Sequence, residues 1–152
     1  MARLSADYAL RIVDPIAENL GDLIAGIVLM DVIQANTEHL PLDLAGDAAL
    51  PLGPEGFPED RLRRPVRPAG LARRLNLPVE TVRRKLAMLM ANDRLERSPA
   101  GYIVPARVLA GEPLWPVMQE NRAQLVRLFA TLDEYGVLDL WRTQEDSLRG
   151  AA

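Results

Sequence analysis

Cysteine is absent from the 152 residues, and histidine occurs once, at His39. The first absence excludes a disulfide framework, cysteine-ligated zinc, an iron–sulfur cluster and a cysteine nucleophile. The second argues against a histidine-rich metal site or a serine–histidine triad. Long apolar runs are also missing. The longest, Leu23 to Met30, is closed by Asp22 and Asp31 and falls well short of the ~20 residues that span a bilayer. The start, Met1-Ala2-Arg3-Leu4-Ser5-Ala6-Asp7, shows no apolar stretch behind a basic one, so a soluble cytoplasmic protein, bacterial in its Arg, Ala and Leu usage, is expected. Gly53-Pro54-Glu55-Gly56 lacks the Lys-Ser/Thr tail of a phosphate-binding loop. Glu59 and Asp60 have no partner base or nucleophile. The expectation is therefore a protein that is not an enzyme and needs no cofactor.

What is present is an uneven charge. Between Arg61 and Arg107 the chain carries twelve bases against three acids, a net of +9, while the remainder holds six bases against eighteen acids, a net of −12. Such asymmetry fits a polyanion-facing module on an acidic scaffold. Eleven of the twelve bases are arginine, whose planar fork suits bidentate contact with phosphate or guanine.

Apolar residues recur at helical spacing through Ile16, Leu20, Leu23, Ile24, Ile27 and Val28. With Asp14 as cap and Pro15 in the first turn, this predicts one long helix from about Asp14 to Glu38. Gly26 within it permits close approach of another helix. Residues 41–68 are rich in Pro and Gly and read as a loop, with a short helical turn near Leu42–Leu50. Arg61-Leu62-Arg63-Arg64 reads as a basic arm. From Pro113 the helical period returns through Trp115, Met118, Leu125, Leu128, Phe129 and Leu132, with a stop at Tyr135-Gly136. A last short helix is expected over 137–147.

The segment LARRLNLPVETVRRKLAMLMANDRLERSPAGYIV, Leu71 to Val104, carries most information. A short helix over 69–75 ends at Asn76, which tolerates the left-handed backbone of a tight turn. Leu77 plugs the space behind, and Pro78 opens a second helix, Val79 to Ala91. Val82, Leu86 and Leu89 form its inward stripe, with Glu80, Arg84, Ala87 and Ala91 opposite. Residues 95–104 then read as a hairpin of two short strands with Arg94 at the base and Arg97 in the stem.

This stretch resembles the winged helix-turn-helix transcriptional regulators of bacteria, in the broad IclR, GntR and MarR style. The likeness rests on Leu71-Ala72, Thr81-Val82-Arg83-Arg84, Leu86, Leu89 and Leu95-x-Arg97 before Gly101-Tyr102, and covers about 35 to 45 residues. Asn76 and Asp93 stand where such proteins usually keep glycine; both tolerate left-handed backbone. The resemblance implies duplex DNA binding, with Val79 to Ala91 as the recognition helix.

The expected fold is thus mainly α with a small β-hairpin wing. Four segments follow: 1–40 helical and dimerising, 41–66 a Pro-rich linker, 67–107 the DNA-binding domain, and 108–152 a C-terminal helical segment. Arg83 and Arg84 are the expected base-edge or phosphate contacts. Thr81 and Lys85 are assigned to phosphate, with Val79 and Glu80 in the first turn of the same helix. Arg94 and Arg97 are assigned to the wing's contact with backbone or minor groove, and Arg64 and Arg73 to the surrounding positive field. The expected partners are double-stranded DNA and a second copy of the chain, with no membrane. Two other readings stay open: a winged-helix module that binds protein, and a ligand-sensing repressor with a small-molecule effector pocket between the terminal helices near Trp115 and Trp141.

Overall fold

The structure is a computed structural model that describes residues 2–41, 52–54, 56–112, 114–139 and 141. It is mainly helical, with one two-stranded antiparallel hairpin among the described residues.

The N-terminal half corrects the expected single helix. Helix α1 spans Ala2–Leu20 and α2 spans Leu23–Thr37. Pro15 lies inside α1 and does not open it. The reason is a stripe at strict i, i+4 spacing, Leu4, Tyr8, Ile12, Ile16 and Leu20, which faces inward along the whole helix. Burial of that stripe outweighs the one backbone hydrogen bond that proline forgoes. The break falls at Gly21, whose φ of +94 admits the reversal. Asp22, and not Asp14, is the cap: its side chain accepts from the Ala25 amide at 2.9 Å. Gly26 does permit close packing, because a Cβ there would overlap the Ile16 side chain.

Helix α2 is the central element. Ala25, Val28, Leu29, Val32 and Ala35 are buried on it, α1 packs on one side, and α3 (Pro68–Leu75) and α4 (Val79–Ala91) pack on the other. Asn76 takes the left-handed backbone as expected, at φ 52, and Asp93 does so at φ 56. Val82, Leu86 and Leu89 are buried as the stripe foretold. Strands β1 (Glu96–Ser98) and β2 (Gly101–Ile103) pair so that Arg97 faces Tyr102. Val66 joins from the other side of β2, exchanging two backbone hydrogen bonds with Tyr102 at 3.0 and 2.8 Å. Gly101 is required there, since a Cβ would collide with the Val66 backbone.

Short helix α5 (Ala106–Ala110) leads into α6 (Leu114–Glu134), which returns along α1. Tyr8 donates from its hydroxyl to Asn121 Oδ1 at 2.7 Å across that contact. The buried residues of α6 are Leu114, Val117 and Leu132; of the expected row Leu132 is buried and Met118, Leu125 and Leu128 are half-buried, whereas Trp115 and Phe129 are about half exposed. The Gly136 stop holds, with φ 68 and its amide bonded to Asp133. The turn expected at Leu42–Leu50, and most of the helix expected over 137–147, lie outside the described residues. One hydrophobic cluster runs through α1, α2, α3, α4, the hairpin's flanks, α5 and α6.

A fully buried amide fastens these layers. Asn36, near the end of α2, has no solvent exposure. Its Nδ2 donates to the Arg64 carbonyl at 2.7 Å and to the Tyr102 carbonyl at 3.2 Å. Its Oδ1 accepts from the Val104 amide at 2.9 Å. One side chain thereby satisfies helix, extended segment and hairpin together. Asn36→Leu keeps the volume but orphans the Val104 N–H and the Arg64 carbonyl. Urea unfolding should show a loss of about 2–4 kcal/mol, since each stranded buried group costs about 1–3; a change below ~0.5 kcal/mol, the range of an indifferent surface substitution, would contradict this role.

Candidate nucleic-acid interface

The α3–α4 pair and the hairpin present one continuous arginine-bearing face. On α4, Arg83 and Arg84 are exposed, and with Glu80, Thr81 and Ala87 they border a shallow groove of about 480 Å³. Beside it, Arg67, Arg83 and Arg97 line a second hollow of about 590 Å³ between the start of α3, α4 and the hairpin tip. Arg83 borders both. The small side chains of Ala87 and Ala91 leave the outer surface of α4 low.

Charge on this face is left largely uncompensated. Arg64, Arg67, Arg73 and Arg84 are exposed and make no ion pair among the described residues. Arg97 stands over the Tyr102 ring, 5.8 Å from its centroid, an arrangement that orients the guanidinium without neutralising it. Arg83 meets Glu80 at 3.5 Å, an i, i+3 pair in which both side chains are well exposed. Such pairs are worth little in water and leave the arginine available. Val79 is 38% exposed at the first turn of α4, beside Glu80, and Thr81 is half-buried.

Other expected contacts are drawn elsewhere. Lys85 turns inward to α2, where its Nζ donates to Asp22 Oδ2 at 2.6 Å; it lies one residue past Arg84 but on the side facing the core. Arg94 donates to the Glu112 carbonyl at 2.7 Å, at the foot of the hairpin. The basic arm is no free tail. A single 3-10 turn, Asp60–Leu62, directs Arg63 into the interior, and Arg61 pairs with Glu59. Only Arg64 of that tract, with Arg67 beyond it, stays exposed and unpaired. On α3, Arg74 bridges to α2 through Glu38 at 2.7 Å and Asp31 at 2.9 Å. Both partners hold its pKa above the usual arginine value, Glu38 most strongly. Arg73, its neighbour, remains outward.

Sequence reading passed over the tie between Arg97 and Tyr102, although their pairing follows directly from the hairpin register. It also missed Asn36, which gave no signal among the polar residues Gln34, Thr37 and Glu38 around it. Comparison with known protein families, with curated proteins and with solved structures returns no match.

The Lys85–Asp22 contact places a titratable group at the joint between α4 and α2. The hydrogen bond from Lys85, followed by that from the Ala25 amide, lowers the Asp22 pKa below 3.8. The fold favours the carboxylate. Its contribution to stability is complete above the unfolded-state value and disappears as pH falls through the lowered folded value. Carboxyl-detected NMR titration should place Asp22 below 3.8 and show it rising in Lys85→Met; an unshifted Asp22 in the unmodified chain would contradict the contact.

Proposed function

We propose that this chain is a winged helix-turn-helix regulator that binds double-stranded DNA. The observation that carries the reading is the outer face of α4, where exposed Arg83 and Arg84 stand beside Ala87 and Ala91. On one flank lies an arginine-bearing hairpin. An α-helix with small outer residues fits a major groove about 12 Å wide. In this reading α4 is the recognition helix, and Arg84, which makes no ion pair among the described residues while Glu80 pairs with Arg83, reaches a base edge. Arg97 on the wing, with Arg64, Arg67 and Arg73, tracks the phosphates on either side. Lys85 is left out of the interface because Asp22 already holds it.

A two-fold homodimer belongs to the same proposal. After α1 and α6 pack together, Leu10 on α1, Val126 and Phe129 on α6 and Tyr135 just past its end still stand well exposed. An apolar set of this kind is what a partner helix covers. Two copies would offer two recognition helices about one DNA turn apart, about 34 Å. Sedimentation should therefore show a dimer.

In vitro selection from a random duplex library supplies the test. The expected outcome is an enriched site, bound with a log–log salt slope near −5 for each protomer. That slope follows from about five arginines, Arg64, Arg67, Arg73, Arg83 and Arg97, each neutralising one phosphate. Arg84→Ala should weaken the selected site by about 1–3 kcal/mol and relax its sequence. Arg64→Ala should weaken all duplexes alike and flatten the slope by about one. No enrichment, with binding indifferent to salt, would overturn the proposal and turn attention to a protein partner.

A further inference from the structure

Away from the arginine face, helices α1, α2 and α6 enclose a hollow of about 650 Å³ with the 57–63 segment at its mouth. That volume lies within the range of small-molecule sites, about 300–1,000 Å³. Its wall is mostly apolar: Ile12, Ile16, Ile33, Phe57, Val117 and Met118 are typical. Trp115 and Trp141 do not line it, so it is not the pocket expected from their positions in sequence. Among its described lining residues there is no aspartate or glutamate, and there is one cation, Arg63.

Arg63 is the anomaly. Its side chain is fully buried, an environment that charged groups rarely enter without full pairing. Nε donates to Asp60 Oδ1 at 3.1 Å, and Nη2 donates to the Pro58 carbonyl at 3.0 Å. Nη1 is buried with no hydrogen-bond partner among the described residues. Asp60 cannot serve it fully, because the same Oδ1 also accepts from the Ala106 amide at 2.7 Å and the carboxylate is nearly half exposed. A buried guanidinium edge, closed off behind the wall of the hollow, is thus short of one acceptor among the described residues, and no acid is among the described residues that line the hollow.

We infer that this hollow binds a small amphipathic carboxylic acid, the Arg63 side chain turning out from behind the wall so that the carboxylate completes its guanidinium while the hydrocarbon body lies against Ile33, Val117 and Met118. A single arginine in an apolar wall suits a monoanion; a phosphate dianion would need further donors. The site also connects to the proposed DNA face. Directly after Arg63 come Arg64, whose carbonyl Asn36 holds, and Val66, which pairs with the hairpin at Tyr102. Ligand-dependent regulation therefore rests on the DNA reading, whereas binding itself does not.

Calorimetric titration of the full chain with octanoate, octan-1-ol and octylamine separates the possibilities. Octanoate should bind at least about tenfold more tightly than the alcohol, the discrimination that a charge-assisted hydrogen bond supplies. Octylamine should not bind. Arg63→Gln should erase the preference for octanoate. Met118→Trp, which narrows the chamber from its α6 wall and keeps Arg63 in the chain, should weaken binding of both while the circular dichroism spectrum stays unchanged. Equal binding of octanoate and octanol, no binding of either, or unaltered binding in folded Met118→Trp would overturn the site. If octanoate binds but leaves duplex affinity unchanged in a chain that binds DNA, the link to regulation is overturned and the site stands. If octanoate binds and no duplex does, the DNA reading alone fails.

Discussion

The buried carboxamide of Asn36 ties helix α2 to the extended segment at Arg64 and to the hairpin at Tyr102 and Val104. Helix α2 is almost wholly apolar and would pack against any greasy surface. Hydrophobic burial is non-directional and cannot by itself set the register of an extended segment against a helix. Asn36 supplies direction. It reaches the Arg64 carbonyl, the Tyr102 carbonyl and the Val104 amide, and its own backbone carbonyl accepts from the Arg64 amide at 3.0 Å. A polar group this deep is tolerated because every bond it needs is made.

The arginine face depends on that arrangement. Arg64 and Arg67 flank the short bridge that Val66 makes with Tyr102, and Arg97 stands on the ring of the same tyrosine. Arg83 lines one hollow together with Arg67 and Arg97. Their relative positions thus follow from one polar junction and one aromatic ring, not from long side chains wandering in solvent. Ion pairs sort the remaining bases. Arg74 and Lys85 brace α3 and α4 against α2, while Arg64, Arg67, Arg73 and Arg84, which make no ion pair among the described residues, are exposed.

The α3–α4–hairpin portion was legible because each signal there is local. Asn76 at the turn, the 82–86–89 stripe and the Pro99-Ala100-Gly101 reversal all act within a few residues. Helix α1 was obscured by Pro15, whose usual place in a first turn argues for a helix start; the i, i+4 row from Leu4 to Leu20 was the stronger signal. On α6 the row Met118, Leu125, Leu128 and Leu132 does turn toward the core, but Trp115 and Phe129 stay about half exposed while Leu114 and Val117 go inward. Arg63 and Lys85 looked like their basic neighbours, and only partners distant in sequence or a local 3-10 turn decide that they face inward. Asn36 could not be singled out at all, since its partners lie 28 to 68 residues away.

The most direct test of the account maps the surface that meets a duplex. In ¹⁵N-labelled protein titrated with double-stranded DNA at low salt, amide shifts should cluster at residues 64–68, 79–87 and 97–101. The Asn36 side-chain resonance should stay protected and unmoved. Shifts spread over α1 and α6, or none on α4, would contradict the claim that this polar junction poses an arginine face for nucleic acid.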